Sequence, residues 1–159
     1  MFRGLTKHII LSQKAYTTIC DSVTKVNNLY EIGGVLLGYK TLNFFYVSQA
    51  TAQTNALEKS QVSFVLDGTW NTSKVKELSA KLLIKPSVVG IWHSHILDVE
   101  QFSSQDQESN LQLAQLYDGI VSGLITMTSP KHKINMAYYY ISATGVESIC
   151  KVSGLLRSY

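Results

Sequence analysis

Apolar residues recur at helical spacing at Ala15, Tyr16, Ile19, Val23 and Val26, behind Ser12 as a cap, until Asn27 and Asn28 break the pattern. This predicts a first helix. Short runs of β-branched, aromatic and aliphatic residues follow at 32–38, 44–50 and 63–67, and they predict strands, with 40–43 as a hairpin turn between the first two. Trp70, Val75, Leu78 and Leu82 can share one face of a second helix over 70–84, which Lys85-Pro86 would stop. Residues 87–92 read as a strand that runs into two histidines. A third helix over 103–119 carries Ser104 and Gln107 as a capping box, Leu113, Leu116 and Tyr117 as an apolar stripe, and Gly119 as its stop. The tail reads as strands over 120–127, 134–141 and 146–152. Helices and strands alternate without a repeat, so the expected fold is α+β: a mixed β-sheet with helices packed on it.

Composition narrows the function classes. A chain of 159 residues, 45% hydrophobic and 16% charged, is sized for one domain with a real core. Its net charge of +3 is spread without runs, so it makes no case for a nucleic-acid partner. Cys20 and Cys150 stand far apart and form no Cys-x-x-Cys pair, the usage expected of reduced thiols in a cytoplasmic protein. The longest apolar run near the start, Ile9-Ile10-Leu11, is too short for a signal-peptide core, and nothing approaches the roughly 20 apolar residues of a membrane span. No membrane partner is expected.

The chemistry concentrates in GIWHSHILDVEQFSSQD, residues 90–106. Side chains alternate faces on a strand, so His93 and His95 point the same way, roughly 7 Å apart at Cα, and Ser94 points the other way. Asp106 falls in the first turn of the third helix, where the helix dipole favours a carboxylate. Two neutral imidazoles and one carboxylate make three protein ligands for zinc, and the open fourth position is what separates a catalytic from a structural site. If each residue type occurs at a few per cent, His-Ser-His, seven residues, Ser, two residues, Asp arises by chance in about 10⁻⁵ of chains.

These residues resemble the JAMM motif of the JAB/MPN metalloprotease family, with Glu31, just before IGGVLLGY, standing where that family carries its upstream glutamate. The resemblance implies an MPN/JAB-like, cytidine-deaminase-like domain over residues 1–159 that acts as a zinc metallopeptidase. It implies His93, His95 and Asp106 as the metal ligands for Zn2+. Glu31 would be the general base that takes a proton from the attacking water and delivers it to the leaving amine. Ser103 would donate to the oxyanion. Many members carry prolines where this chain has Ile96 and Phe102, a difference that bears on loop rigidity and leaves the ligands intact.

The chain is similar to small prokaryotic-type members without the insertions that clasp ubiquitin in eukaryotic relatives. That similarity implies a deubiquitinase-like isopeptidase or tail-processing peptidase. Its substrate would be a ubiquitin-like protein or protein conjugate, and its partners would include the activating and conjugating enzymes of the same operon, as in the antiphage CBASS and Bil systems. The alternative is a catalytically silent MPN scaffold or dimerisation domain in a larger complex.

The run 60–67 has strand composition at a plausible sheet edge, so Ser63, Phe64 and Val65 are the expected substrate-binding positions, pairing with an extended peptide by β-augmentation. Other hydrolases fail on inventory. A zinc deaminase needs a Cys-x-x-Cys pair, neither thiol has a histidine near it in sequence, and no nucleophile elbow is present.

Overall fold

The computed structural model describes residues 5–53, 66–96, 101–128 and 133–156. Its elements run in the order β1 (His8–Ser12), α1 (Gln13–Val26), β2 (Gly33–Lys40), β3 (Phe44–Ala50), α2 (Gly68–Ser79), β4 (Ser87–His95), α3 (Ser104–Tyr117), β5 (Ile120–Thr128), β6 (Lys133–Ile141), β7 (Glu147–Ile149) and β8 (Lys151–Leu156). Among the described residues, eight strands join one mixed sheet in the order β7-β6-β5-β4-β2-β3-β1-β8. Pairing is parallel between β4 and β5, β3 and β1, and β1 and β8, and antiparallel elsewhere. The coarse expectation, a mixed α+β architecture with helices on a sheet, is what the chain adopts.

The first helix follows its sequence signals closely. Ser12 Oγ accepts the Ala15 N–H at 3.0 Å, and Asn27 ends the helix in the left-handed region, where asparagine is tolerated better than most residues. Ala15, Ile19, Val23 and Val26 bury one face of α1 in a core with Ile9, Leu11, Phe45 and Val47. Full burial of each larger aliphatic side chain is worth about 1.5–3 kcal/mol, so this stripe holds the helix to β1 and β3. Strand β1 was not among the sequence expectations. Its Ile-Ile-Leu run is only three residues long, and it becomes a strand because β3 and β8 supply partners on both sides.

The expected strand over 146–152 divides. Residues 147–149 pair with β6 at one edge of the sheet, whereas 151–156 pair with β1 at the other. Buried Cys150 sits between them. Its N–H donates to Tyr138 O at 2.8 Å, and the next N–H, of Lys151, donates to Lys7 O at 2.9 Å. The sheet therefore curls until its two edges are consecutive in the chain, and it is nearly closed.

The second helix starts earlier and ends sooner than 70–84. Asp67 caps it by accepting the Trp70 N–H at 2.9 Å, so Asp67 is a helix cap and not the end of a strand. Of the strand expected over 63–67, positions 63–65 lie outside the described residues. The helix is seated by polar groups instead of its apolar stripe: Asn71 donates to Gln53 Oε1 at 2.9 Å and accepts from Thr51 Oγ1 at 2.7 Å. Leu82 lies beyond the helix end and is exposed, because residues 80–86 make the crossing to β4. Among the described residues, no helix is long and apolar enough to cross a membrane.

Candidate metal centre

Strand β4 lies in the middle of the sheet, and its residues alternate between two faces. Trp92 is fully buried on the α1 side, where its indole N–H donates to Thr51 O at 2.9 Å. Ile91 packs on the opposite face, in a second cluster beneath α3 with Ala114, Ile120 and Ile141. His93 and His95 belong to that second face by alternation. Gly90 has no side chain because a Cβ there would collide with the carbonyl oxygen of Val121, so β4 and β5 could not pair as they do.

Ser103, and not Ser104, is the N-cap of α3. Its Oγ accepts the Asp106 N–H at 3.1 Å, and Asp106 Oδ2 accepts the Ser103 N–H at 2.8 Å, so the capping box is made by Ser103 and Asp106 in place of Ser104 and Gln107. Asp106 is thereby fixed in the first turn. The expected stripe of α3 also shifts. Leu116 is 71% exposed and Tyr117 is exposed, while Asn110 and Ala114 are the buried contacts. The helix leans on the sheet through the face that carries Asp106.

That lean brings the three expected ligands together. His93 Nε2 and His95 Nε2 stand 3.0 Å apart, and each is 3.4 Å from Asp106 Oδ2. Charge-assisted N–H···O bonds are shorter, about 2.7–2.9 Å. Ligands at about 2.0–2.2 Å from one tetrahedral ion are about 3.3–3.6 Å apart, which the two nitrogen–oxygen edges match. The nitrogen–nitrogen edge is a few tenths of an ångström tighter. Protons cannot satisfy all three edges at once: two N–H groups face each other unfavourably, and with one N–H donating to the other ring the second ring's lone pair faces the carboxylate. A single cation satisfies all three. Across the described residues, His93, His95 and Asp106 form the group able to hold a metal ion.

The electrostatics agree with this geometry. Burial opposes ionisation of Asp106, but the facing imidazoles of His93 and His95 and the backbone N–H of Ser103 together hold its carboxyl well below the usual carboxylate range. Glu31 is 8% exposed. Burial pushes its pKa up to about 7, with His95 lowering it and Asp106 raising it. Its place is set by the middle residue of His-Ser-His: Ser94 donates its N–H to Ile32 O at 2.7 Å, and Ser94 Oγ accepts the Ile32 N–H at 3.0 Å. Two hydrogen bonds therefore pin the residue next to Glu31 beside the residue next to His95.

Sequence reasoning missed three supporting groups. Phe102 packs its ring 5.9 Å from that of His93 and edge-on to Tyr139 at 5.2 Å, so it contributes an aromatic wall beside the imidazole. Lys40, at the end of β2, reaches the C-terminus of α3 and donates to the carbonyls of Tyr117, Asp118 and Gly119 at 2.6, 2.9 and 3.2 Å. Ser94 is the third. None has a local signature, because each acts on a partner distant in sequence. Ser63, Phe64 and Val65, expected to bind substrate, lie outside the described residues.

No protein-family model matches the chain, and no curated protein matches it. Among solved structures, 174 chains match. One is the solution structure of protein DSY2949 from Desulfitobacterium hafniense, with a TM-score of 0.68 and 19% sequence identity, covering 94% of this chain and 92% of that one. At that identity the likeness is one of fold, a mixed sheet with helices carried over nearly the full length of both chains.

Proposed function

We propose that this chain is a small JAB/MPN-type zinc peptidase that removes a ubiquitin-like protein, or its tail, from a conjugated target. The observation that carries the reading is the triangle of 3.0, 3.4 and 3.4 Å formed by His93 Nε2, His95 Nε2 and Asp106 Oδ2. His93, His95 and Asp106 would hold the ion. Bound zinc would supply Lewis-acid polarisation of the scissile carbonyl and a water that ionises near neutral pH.

The remaining steps belong to the protein. Glu31, buried near His95 and Asp106, would accept a proton from the attacking water and return it to the departing amine. Ser103 Oγ spends a lone pair on the Asp106 N–H, which leaves its own proton to donate to the carbonyl oxygen as negative charge develops. Asp106 stays ionised, and its attachment to Ser103 holds both groups on one helix end. The partners proposed with this chemistry are a ubiquitin-like substrate and the activating and conjugating enzymes of an antiphage operon, in the cytoplasm.

The experiment compares wild type with Glu31→Gln, each loaded with one equivalent of zinc, on a ubiquitin-like protein fused through its tail to a target. The variant should keep its zinc and lose activity by about 10²- to 10⁴-fold. Equal cleavage by both proteins, or no metal uptake by wild type, would overturn the reading.

A further inference from the structure

The crossing from α2 to β4 carries three large apolar residues in a row that the fold leaves uncovered. Leu82 is 37% exposed, Ile84 is 71% exposed, and Leu83 is fully exposed. Single exposed leucines are ordinary, but three consecutive apolar residues facing water are avoided unless they have a use. The run is held in place. The Leu82 N–H donates to Ser79 O at 3.1 Å, the Tyr39 hydroxyl donates to Ile84 O at 2.9 Å, and buried Pro86 anchors the exit into β4. Its side chains are therefore presented outward on a backbone that is already ordered.

Lysines bracket the run. Lys81 and Lys85 are exposed on either side of it, and among the described residues neither makes an ion pair. Glu77, the acid nearest to the run in sequence, is already paired with Lys74 at 3.1 Å, and Asp118, the acid at the end of α3, has the Lys40 ammonium on its own carbonyl at 2.9 Å. This end of the sheet thus combines a convex apolar tip with free positive charge at its base. Ser87, which pairs with Gly38, begins β4 here, and His93, which pairs with Gly33, stands six residues on, so the candidate metal centre lies about 20 Å away at the opposite end.

We propose that this tip binds the surface of an anionic phospholipid membrane. Leu83 and Ile84 enter the boundary between headgroups and acyl chains, while Lys81 and Lys85 meet the phosphates, their stems lying along the apolar side chains. A fluid bilayer needs no matching pocket and accepts a protruding tip, whereas a protein partner would have to present a socket shaped to it. Tyr39, whose hydroxyl holds the tip and whose ring is partly exposed, suits the same interfacial depth. No membrane span is involved: the attachment is peripheral and reversible, weaker than that of a single myristoyl chain, which binds with a constant of about 10⁴ M⁻¹. The metal centre, at the far end of β4, stays open to water. The proposal goes beyond the peptidase reading and does not depend on it.

The test sediments the full chain with vesicles of phosphatidylcholine alone, or of equal parts phosphatidylcholine and phosphatidylglycerol. Wild type should bind the anionic vesicles about tenfold more tightly than the neutral ones, an advantage lost at high salt. Leu83→Ser combined with Ile84→Ser, at positions where the fold loses no packing, should weaken binding to anionic vesicles about tenfold or more while Tm stays at the wild-type value. Lys81→Gln combined with Lys85→Gln should erase the difference between the two kinds of vesicle. Leu83→Trp reports depth, since its emission should be quenched by lipids with brominated acyl chains. Wild type that stays in the supernatant with anionic vesicles, a double serine variant that binds them as wild type does, or an unquenched Leu83→Trp overturns the proposal. Self-association without vesicle binding, abolished by the double serine variant, also overturns it and assigns the run to a second copy of the chain.

Discussion

Asp106 Oδ2 accepts the backbone N–H of Ser103 at 2.8 Å with the same oxygen that faces both imidazoles at 3.4 Å. The capping-box acceptor and the candidate metal ligand are one atom. Asp106→Ala should therefore abolish metal uptake and also loosen the start of α3. Ser103→Ala should keep the metal, lose about 1 kcal/mol of stability as an N-cap deletion, which lowers Tm by about 2–4 °C, and lose about 10²-fold in turnover. Metal stoichiometry, thermal melts and single-turnover rates separate the three effects. An unchanged Tm in Ser103→Ala would show that its cap is dispensable.

Glu31 gives the metal-free protein a distinctive pH dependence. Its folded pKa, about 7, lies above the ordinary 4.5, so the folded state binds more protons than the unfolded state between those values. The stabilising contribution is complete below about pH 4.5 and is lost as pH rises through 7, and the shift corresponds to on the order of 3 kcal/mol. Asp106 acts in the opposite sense and at lower pH, since its depressed pKa contributes stability that disappears as pH falls below the usual carboxylate range. Glu31→Gln should thus gain Tm relative to metal-free wild type between pH 5 and 8. A Tm difference that stays flat over that range would mean the carboxyl titrates normally.

Phe102 packs against His93 and is itself held edge-on by Tyr139. Phe102→Ala should leave the ligand set complete but let the imidazole wander, and loss of a group that orients a ligand typically costs 10- to 100-fold in metal affinity. A competition titration with a chromogenic chelator measures this directly. Affinity equal to wild type would show that the strand alone orients His93.

Lys40 joins the strand that follows Glu31 to the far end of the helix that carries Asp106. A cation on the last carbonyls of a helix complements its dipole, and because this lysine is exposed the three bonds together are worth about 1 kcal/mol. Lys40→Met should lower Tm by about 2–4 °C and speed amide exchange in the last turn of α3, with the metal site retained. Exchange rates identical to wild type would remove the clamp from the account.

The His93, His95 and Asp106 cluster was readable in the sequence because its logic is local: alternation on one strand aims two histidines together, and the dipole of the following helix favours a charged acid in its first turn. The same logic found α1, whose stripe from Ala15 to Val26 meets a sheet as drawn. It misjudged α2 and α3, where Asn71 and Asn110 occupy the buried positions and the leucines line a cavity or face water. Polar seats of that kind are invisible to a hydrophobic pattern, since their partners, Gln53 and Ser122, come from elsewhere in the chain. The division of 146–152 at Cys150 was hidden for a related reason. Strand composition is continuous across it, and only the edges of a curled sheet decide which neighbour each half meets.

The pairing of β1 with β8 sets an order on synthesis. His8 lies beside Lys151, so β1 is made long before the strand that covers its edge. Contacts this distant in sequence are slow to form, and until they do β1 presents open N–H and C=O groups to any other nascent chain. Termination just after Cys150 would leave every proposed metal ligand present and the N-terminal edge bare. Such truncated chains should gather in aggregates, while chains that include β8 should resist protease.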